Sequence, residues 1–289
     1  VDNAVIMAAG MSSRFVPLSY EKPKALLEVK GEIMIERQIR QLREAGISEI
    51  IVVTGYKAEM FEYLKNECGV VLVNNPEYLF RNNHSSIFAV RNFLKNTYIC
   101  SADNYFTENP FEQYVADSYY AALYAQGPTK EWCMVCDDSG RIKKVQIGGE
   151  DSWYMLGHAF WSEEFSTTFK SILEELYDLP ETVGLFWEDI YIKYIDELEM
   201  KIRKYDPHVI YEFDTLDELR EFDTSYVNCS RSEILKKIAL QLHCEEKNIS
   251  CIVPLKNTQG EVYGFQFRMM NRDYYYEYSK GIAREVNSL

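Results

Sequence analysis

The chain has 289 residues, 47% hydrophobic and 26% charged, enough for one large domain, or one domain plus a small appendage, with an ample core. Its formal net charge of −14 excludes a general binder of phosphate backbones, so no nucleic-acid partner is expected, whereas a small phosphorylated ligand needs only a local cluster of cations. No apolar stretch approaches the roughly 20 residues of a bilayer span, no basic-then-apolar leader opens the sequence, and the seven scattered cysteines read as reduced thiols; the expectation is a cytoplasmic protein.

In chain order, residues 4–9 predict a buried strand, and the small-residue loop "AAGMSSR" (8–14) follows it directly. "IMIERQIRQLREAG" predicts an amphipathic helix with Ile35, Ile39 and Leu42 on one face and Gly46 at its end. Next come a strand over 49–54, a helix through Met60 and Leu64, and a short strand over 70–73. A helix over 85–95 places Ile87, Val90 and Leu94 on one face, and "TYICSADN" runs as a strand into a loop. This alternation, with apolar rather than alternating strands, predicts an α/β fold with a mainly parallel sheet covered on both faces.

After about residue 119 the pattern changes. "YYAALYA", "EWCMVC", "RIKKVQIGG" and "MLGHAFW" read as antiparallel strands with "DDSG" (137–140) as a hairpin turn, and a helix follows over 163–177. Cys133 and Cys136 form a lone CxxC with no second pair at ligand spacing, which reads as strand residues rather than a zinc site. "DTSYVNCSRS" (223–232) marks the expected boundary between a domain of residues 1–223 and a small α+β extension, 224–289. The extension predicts one helix (Ile234, Leu235, Ile238, Leu242) and two or three strands. At that size its own core is marginal, so it is expected to pack on the main domain or on a partner.

Three clusters carry chemistry. Loop 8–14 sits at a strand's carboxyl end, where small residues let backbone N–H groups approach phosphate, and Arg14 adds a forked cationic contact. Lys22 and Lys24 flank a proline ten residues on. Asp103 ends the fourth parallel strand, either as a turn residue or as a ligand for the Mg²⁺ that phosphoryl chemistry requires. Glu212 and Asp214, two apart, are expected on one face of a late strand, with Asp214 also a candidate N-cap for a helix over 215–222. In "NNHSSIF" (82–88), Asn83 and Ser85 suit either the reading of a pyrimidine edge or a helix cap, and His84 is expected at the surface.

"AAGMSSRF" followed by "KPKALLEVKGEIMIERQI" resembles the nucleotidyltransferases that activate phosphorylated compounds with an NTP, although the usual GxGxR appears as "GMSSR". "SADNYF", "TKEWCMV", "LFWEDIY" and "IYEFDTLDEL" extend the resemblance, over about residues 3–222, to bacterial CTP:phosphocholine cytidylyltransferases. The resemblance implies a GT-A/Rossmann-like fold with a mixed, mainly parallel sheet, joining CTP and phosphocholine into CDP-choline and pyrophosphate. It implies that Ala8, Ala9, Gly10, Met11, Ser12, Ser13 and Ala102 wrap the nucleotide, that Arg14 steadies the pyrophosphate, and that Lys24 neutralises the reacting phosphates. Asp103 and Asp214 would hold Mg²⁺, with Glu212 accessory.

A quaternary ammonium has no N–H to donate, so aromatic faces and nearby negative charge must recognise it. Trp132 and Trp187 are the cage candidates, with Glu131, Glu188, Asp189 and Glu212 around them; the alternative is that both tryptophans are core. "FWED" departs from the family's "YWDN", leaving open which of Glu188 and Asp189 faces the amine. Rival readings are the same chemistry on phosphoethanolamine, a phosphonate or a sugar 1-phosphate, or a non-catalytic nucleotide-binding protein. "CIVPLKNTQGEVYGFQF" in the tail faintly resembles the opening strands of the choline-kinase-like fold, without that fold's catalytic loop or metal-binding segments. Oligomeric state is left open by the sequence.

Overall fold

The computed structural model describes residues 1–286. They fall into two compact units: Val1–Gly10 with Met34–Glu212, and Met11–Ile33 with Phe213 onward. The sequence boundary at 223/224 therefore differs from the structural division, because residues 11–33 and 213–223 group with the tail.

The first unit is built on β1 (Asn3–Ala8), β2 (Glu49–Thr54), β3 (Val71–Asn74), β4 (Thr97–Ser101), β5 (Asn104–Phe106), β6 (Tyr119–Cys136), β7 (Ile142–Trp161), β8 (Lys201–Lys204) and β9 (Ile210–Glu212). Seven of these form one sheet in the order β8-β6-β7-β4-β1-β2-β3. β4, β1, β2 and β3 run parallel, β7 is antiparallel to both β4 and β6, and β8 is parallel to β6. Ala4, Val5, Ile6, Ile51, Val52 and Val53 are fully buried, as expected for parallel strands covered on both faces. β9 pairs antiparallel with β5 in a separate small ribbon.

Two expectations change here. The four antiparallel segments are two long strands, because the Gly127–Pro128 and Gly148–Gly149 breakers are absorbed as register shifts within one β6–β7 ladder. The helix expected over 85–95 stops at Ala89, where Arg91 Nη1 takes the carbonyl of Phe88 (2.7 Å) and the chain turns. The helices of this unit are α1 (Met34–Glu44), α2 (Tyr63–Glu67, preceded by a 3₁₀ turn), α3 (His84–Ala89), α4 (Glu163–Leu176) and α5 (Trp187–Lys193). Gly157 in β7 is irreplaceable on geometry: its φ is +109°, and a Cβ there would stand 2.9 Å from Ile210 Cδ1.

In the second unit, α6 (Leu216–Phe222), α7 (Ser225–Asn228) and α8 (Glu233–Gln241) precede a four-stranded antiparallel sheet, one strand more than the sequence predicted. The strands are β10 (Ser250–Lys256), β11 (Val262–Met269), β12 (Arg272–Glu277) and β13 (Ala283–Glu285). Specific polar contacts tie residues 11–33 to the tail. Tyr226 Oη donates to Glu28 O (2.6 Å), Lys30 N to Asp223 Oδ2 (2.7 Å) and Ile234 N to Glu21 Oε1 (3.0 Å), while Tyr20 stacks on Tyr278 at 3.6 Å. Arg220, 8% exposed, donates to the carbonyls of Ile249 (2.6 Å), Glu246 (2.9 Å) and Tyr226 (3.3 Å). The guanidinium fork reaches three divergent carbonyls at once through separate nitrogens. Arg220→Met, which leaves those acceptors without a donor, should destabilise this unit by about 3 kcal/mol in denaturant unfolding. A loss below about 0.5 kcal/mol would show that water replaces the guanidinium freely.

Candidate active site

The segment that carries Asp103 is fastened from one side. α1 is amphipathic, and its polar edge reaches the β4–β5 turn: Gln38 Nε2 donates to Ser101 O (2.8 Å) and Asn104 O (2.7 Å). Arg37 Nε donates to Phe106 O (2.8 Å) and Gln41 Nε2 to the same carbonyl (3.2 Å). Within the turn, Ser101 Oγ donates to Asp103 Oδ1 (2.8 Å). The N–H of Ala102 goes to Met7 O (3.0 Å), so its backbone donor serves the sheet rather than a ligand. Ala8 and Ala9 are buried at the end of β1, and a Cβ on Gly10 would meet nothing within 4 Å, so packing does not demand that glycine.

The second unit holds the other end of the loop. Met11, Ser12 and Ser13 are half-buried, with Ser12 left-handed at φ +47°. Arg14 Nη1 pairs with Asp214 Oδ2 at 2.7 Å on the surface, a contact worth at most about 1 kcal/mol and easily exchanged. Lys24 is buried, its Nζ 5.5 Å from the Phe15 ring centroid.

Two expectations about Asp214 fail. β9 ends at Glu212, so Glu212 and Asp214 do not share a strand face, and they belong to different units. The cap of α6 is Thr215, whose Oγ1 accepts from Glu218 N (3.2 Å) while Glu218 Oε2 accepts from Thr215 N (3.2 Å) in a capping box; the same Oε2 also accepts from Asp214 N (2.6 Å). Among the described residues no three His, Cys, Asp or Glu side chains stand together as a metal site. Mg²⁺ needs only one or two protein carboxylates beside phosphate oxygens, and the Asp103 carboxylate, oriented by Ser101, is a donor of that hard-oxygen type.

A cavity of about 270 Å³ opens in the first unit. Its aromatic wall is Tyr120, Trp132, Phe186 and Trp187, and its carboxylates are Glu131, Glu188 and Glu212. Trp187 is 1% exposed, stacked on Tyr120 (5.6 Å) and edge-on to Trp161 (5.0 Å), so it is both core and cavity wall. Trp132 is half-buried, with Phe186 edge-on at 5.9 Å. Glu188 is enclosed by protein except where it faces the cavity; Tyr120 Oη donates to its Oε1 (3.1 Å) and Asn83 Nδ2 to its Oε2 (3.1 Å). Burial outweighs these donors, and with some repulsion from Asp189 the Glu188 carboxyl is pushed up to about 7. Asp189 instead accepts from Phe186 N (2.7 Å) to close the first turn of α5, so of the two acidic neighbours Glu188 faces the cavity.

In the "NNHSS" segment the side chains are already bonded within the protein. Asn83 is committed to Glu188 and, through Oδ1, to Trp187 N (2.7 Å). Ser85 is buried, bonded to Asn82 O (2.8 Å) and Asn75 Nδ2 (2.8 Å). His84 is wholly buried rather than at the surface, its Nδ1 facing Leu185 O (2.5 Å), and burial lowers its pKa. Tyr120, Phe186 and Asn104 line the cavity and were missed from the sequence. Phe186 directly precedes Trp187 and carried a signal; Tyr120, within "YYAALYA", carried none that separated it from Tyr119.

The MobA-like NTP transferase domain pattern matches residues 4–175. The chain belongs to that nucleotidyltransferase family. It is 33% identical to choline-phosphate cytidylyltransferase of Streptococcus pneumoniae over 76% of this chain and 96% of the relative. It is 38% identical to 2-aminoethylphosphonate cytidylyltransferase of Lancefieldella rimae over 80% of this chain and 95% of the relative. The solved structure of the Streptococcus pneumoniae CTP:phosphocholine cytidylyltransferase superposes with a TM-score of 0.74, covering 77% of this chain and 98% of that one. The expected GT-A-like fold is borne out. No helix among the described residues is long and apolar enough to cross a membrane.

Because its pKa is raised, Glu188 contributes stability that is fully present below its ordinary value of 4.5 and lost as pH climbs through about 7. Glu188→Gln, isosteric and uncharged, should therefore be more stable than the parent at pH 8, by on the order of 2 kcal/mol, and equal to it near pH 4. Denaturant titrations at both pH values check this; the same difference at both would mean that Glu188 ionises normally.

Proposed function

We propose that this nucleotidyltransferase condenses CTP with phosphocholine, giving CDP-choline and pyrophosphate. The observation that carries the reading is the cavity where aromatic rings surround a half-buried carboxylate, a combination suited to a desolvated organic cation. The likeness to choline-phosphate cytidylyltransferase over nearly that enzyme's whole length supports it.

In the reaction a phosphocholine oxygen attacks the α-phosphorus of CTP in line. The bond from that phosphorus to the β-phosphate's bridging oxygen breaks, and pyrophosphate leaves with the electron pair. A phosphate monoester, with a second pKa near 6, is largely dianionic at neutral pH and needs no general base. The protein contributes orientation and charge neutralisation. Loop residues 8–13 supply backbone donors, Lys24 meets the reacting phosphates, and Arg14 meets the departing pyrophosphate, leaving its exchangeable pairing with Asp214. Asp103, oriented by Ser101, is the carboxylate that would hold Mg²⁺, which when bound would neutralise phosphate charge and polarise the reacting group. CTP, phosphocholine and thiols that are all free suit a cytoplasmic setting.

A second reading has specific support: the substrate amine is primary, as in 2-aminoethylphosphonate. Asn104 lines the cavity, and its buried Oδ1 has no hydrogen-bond partner among the described residues, which suits an N–H donor. Initial rates with CTP and phosphocholine, phosphoethanolamine or 2-aminoethylphosphonate separate the readings, and phosphocholine should give the highest kcat/KM. Trp132→Leu removes a cation–π face worth about 2 kcal/mol, so it should raise the KM for phosphocholine roughly 30-fold and leave that for CTP unchanged. A better primary-amine substrate, with Trp132→Leu nearly silent, would transfer the assignment to the second reading.

The phosphate end is tested separately. Asp103→Ala should lower kcat at least about 100-fold, with a steeper Mg²⁺ requirement. Near-normal turnover at saturating Mg²⁺ would remove Asp103 from the reaction.

A further inference from the structure

Asn83 joins two chain segments about a hundred residues apart. Its Oδ1 accepts from the backbone N–H of Trp187 (2.7 Å), and its Nδ2 donates to Glu188 Oε2 (3.1 Å). Its neighbours reinforce the seam: Asn82 N donates to Val183 O (3.2 Å), and His84 Nδ1 faces Leu185 O (2.5 Å). The first turn of α5, which presents Trp187 and Glu188 to the cavity, is thus held from the side by residues 82–84. Of these, only Asn83 touches the carboxylate itself.

We infer that Asn83 is a positioning residue for amine recognition, aiming the Glu188 carboxylate at the ligand's cationic headgroup and holding Trp187 beside it. This deepens the proposed function and rests on the cavity being the headgroup site. An amide is the side chain the place requires, since one end must accept and the other donate. Aspartate keeps the acceptor, loses the donor and sets a second negative charge against Glu188. Leucine loses both bonds at similar volume.

The electrostatic surroundings explain why a misaimed carboxylate would be costly. The groups facing Glu188 are Tyr120 from β6, Asn83 from the start of α3 and Asp189 on its own helix, and Glu131 and Glu212 line the same cavity. Among the described residues no lysine or arginine lines it. The ammonium is therefore the cation that neutralises Glu188, and its binding favours the ionised carboxylate over the protonated one. Affinity for the amine should rise with pH until Glu188 is ionised, and Asn83 helps to set where that happens by donating to the charged form.

The test titrates phosphocholine, and separately 2-aminoethylphosphonate, into the full chain by calorimetry between pH 6 and 9, for the parent, Asn83→Asp and Asn83→Leu, beside steady-state kinetics. The expected result is a Kd for the bound amine weakened at least about tenfold in both variants, with the KM for CTP within about twofold of the parent. In Asn83→Asp the pH of half-maximal affinity should also move upward by about one unit. Should the leucine variant not fold, the isosteric aspartate variant carries the test alone. A raised KM for CTP with unchanged amine affinity would restore Asn83 to the nucleotide and overturn the inference. Equal weakening at every pH would overturn it too, by reducing Asn83 to a structural tether. A parent that binds neither amine would reject the headgroup reading itself, whereas a parent that binds and variants that match it would reject only the role of Asn83.

Discussion

A carboxylate placed among aromatic rings, with no lysine or arginine lining its cavity among the described residues, is the constraint on which the first unit's architecture turns. Such a group tends to neutralise rather than stay charged, and Glu188 sits near that balance because one phenol and one amide hold its two oxygens. Neither donor is local in sequence. Tyr120 comes from the inner end of the long β6, and Asn83 from the turn before α3. Gly157, left-handed and pressed against Ile210, makes room for the β9 strand that brings Glu212 to the same cavity. The fold must therefore close across the sheet before the carboxylate is satisfied.

The phosphate end makes a different demand. Phosphoryl groups are bound by fixed donors and cations, which work best when they need not reorganise. The segment bearing Asp103, proposed for that end, is firmly attached: α1 spends Gln38 and Gln41 on its carbonyls rather than on solvent. Arg14 and Asp214, by contrast, form an exposed pair that screening leaves weak, so either is cheaply recruited elsewhere.

Much of this was legible in the sequence, and the failures have physical causes. The parallel strands were readable because burial on both faces leaves unbroken apolar runs such as "EIIVVT". The aromatic and acidic residues of the cavity were readable as types. Their roles were not, because Glu188 and Asp189 differ only in where one helical turn points them: one into the cavity, the other back onto Phe186 N. Asn83 and Ser85 suited a ligand contact or a helix cap, yet Asn83 is engaged by residues about a hundred positions away and Ser85 by Asn75 and Asn82. Glycine and proline in β6 and β7 suggested strand ends, but a long ladder absorbs them as bulges. The grouping of residues 11–33 with the tail rests on contacts such as Tyr226 to Glu28, almost two hundred residues apart, which composition cannot report.

The cavity's chemistry also bears on how such a site tells one amine from another. A trimethylated ammonium is weakly hydrated and offers no N–H, so rings and a diffuse negative charge suffice, and any orphaned acceptor beside it stays unpaired. A primary ammonium costs more to strip of water but repays that cost wherever acceptors converge on it. Both kinds of feature line this cavity: the rings of Trp132, Phe186 and Tyr120, and the oxygens of Glu188, Glu212 and Asn104. Asn104 ties the two together, because its Nδ2 lies 3.4 Å from Glu212 Oε2 while its buried Oδ1 has no partner among the described residues. On the proposed reading an N–H brought to that oxygen gains on the order of 1–3 kcal/mol, which a quaternary headgroup cannot supply. On the proposed headgroup reading, the aromatic wall serves either amine, and a primary one gains further only where its nitrogen reaches the Asn104 side of the cavity.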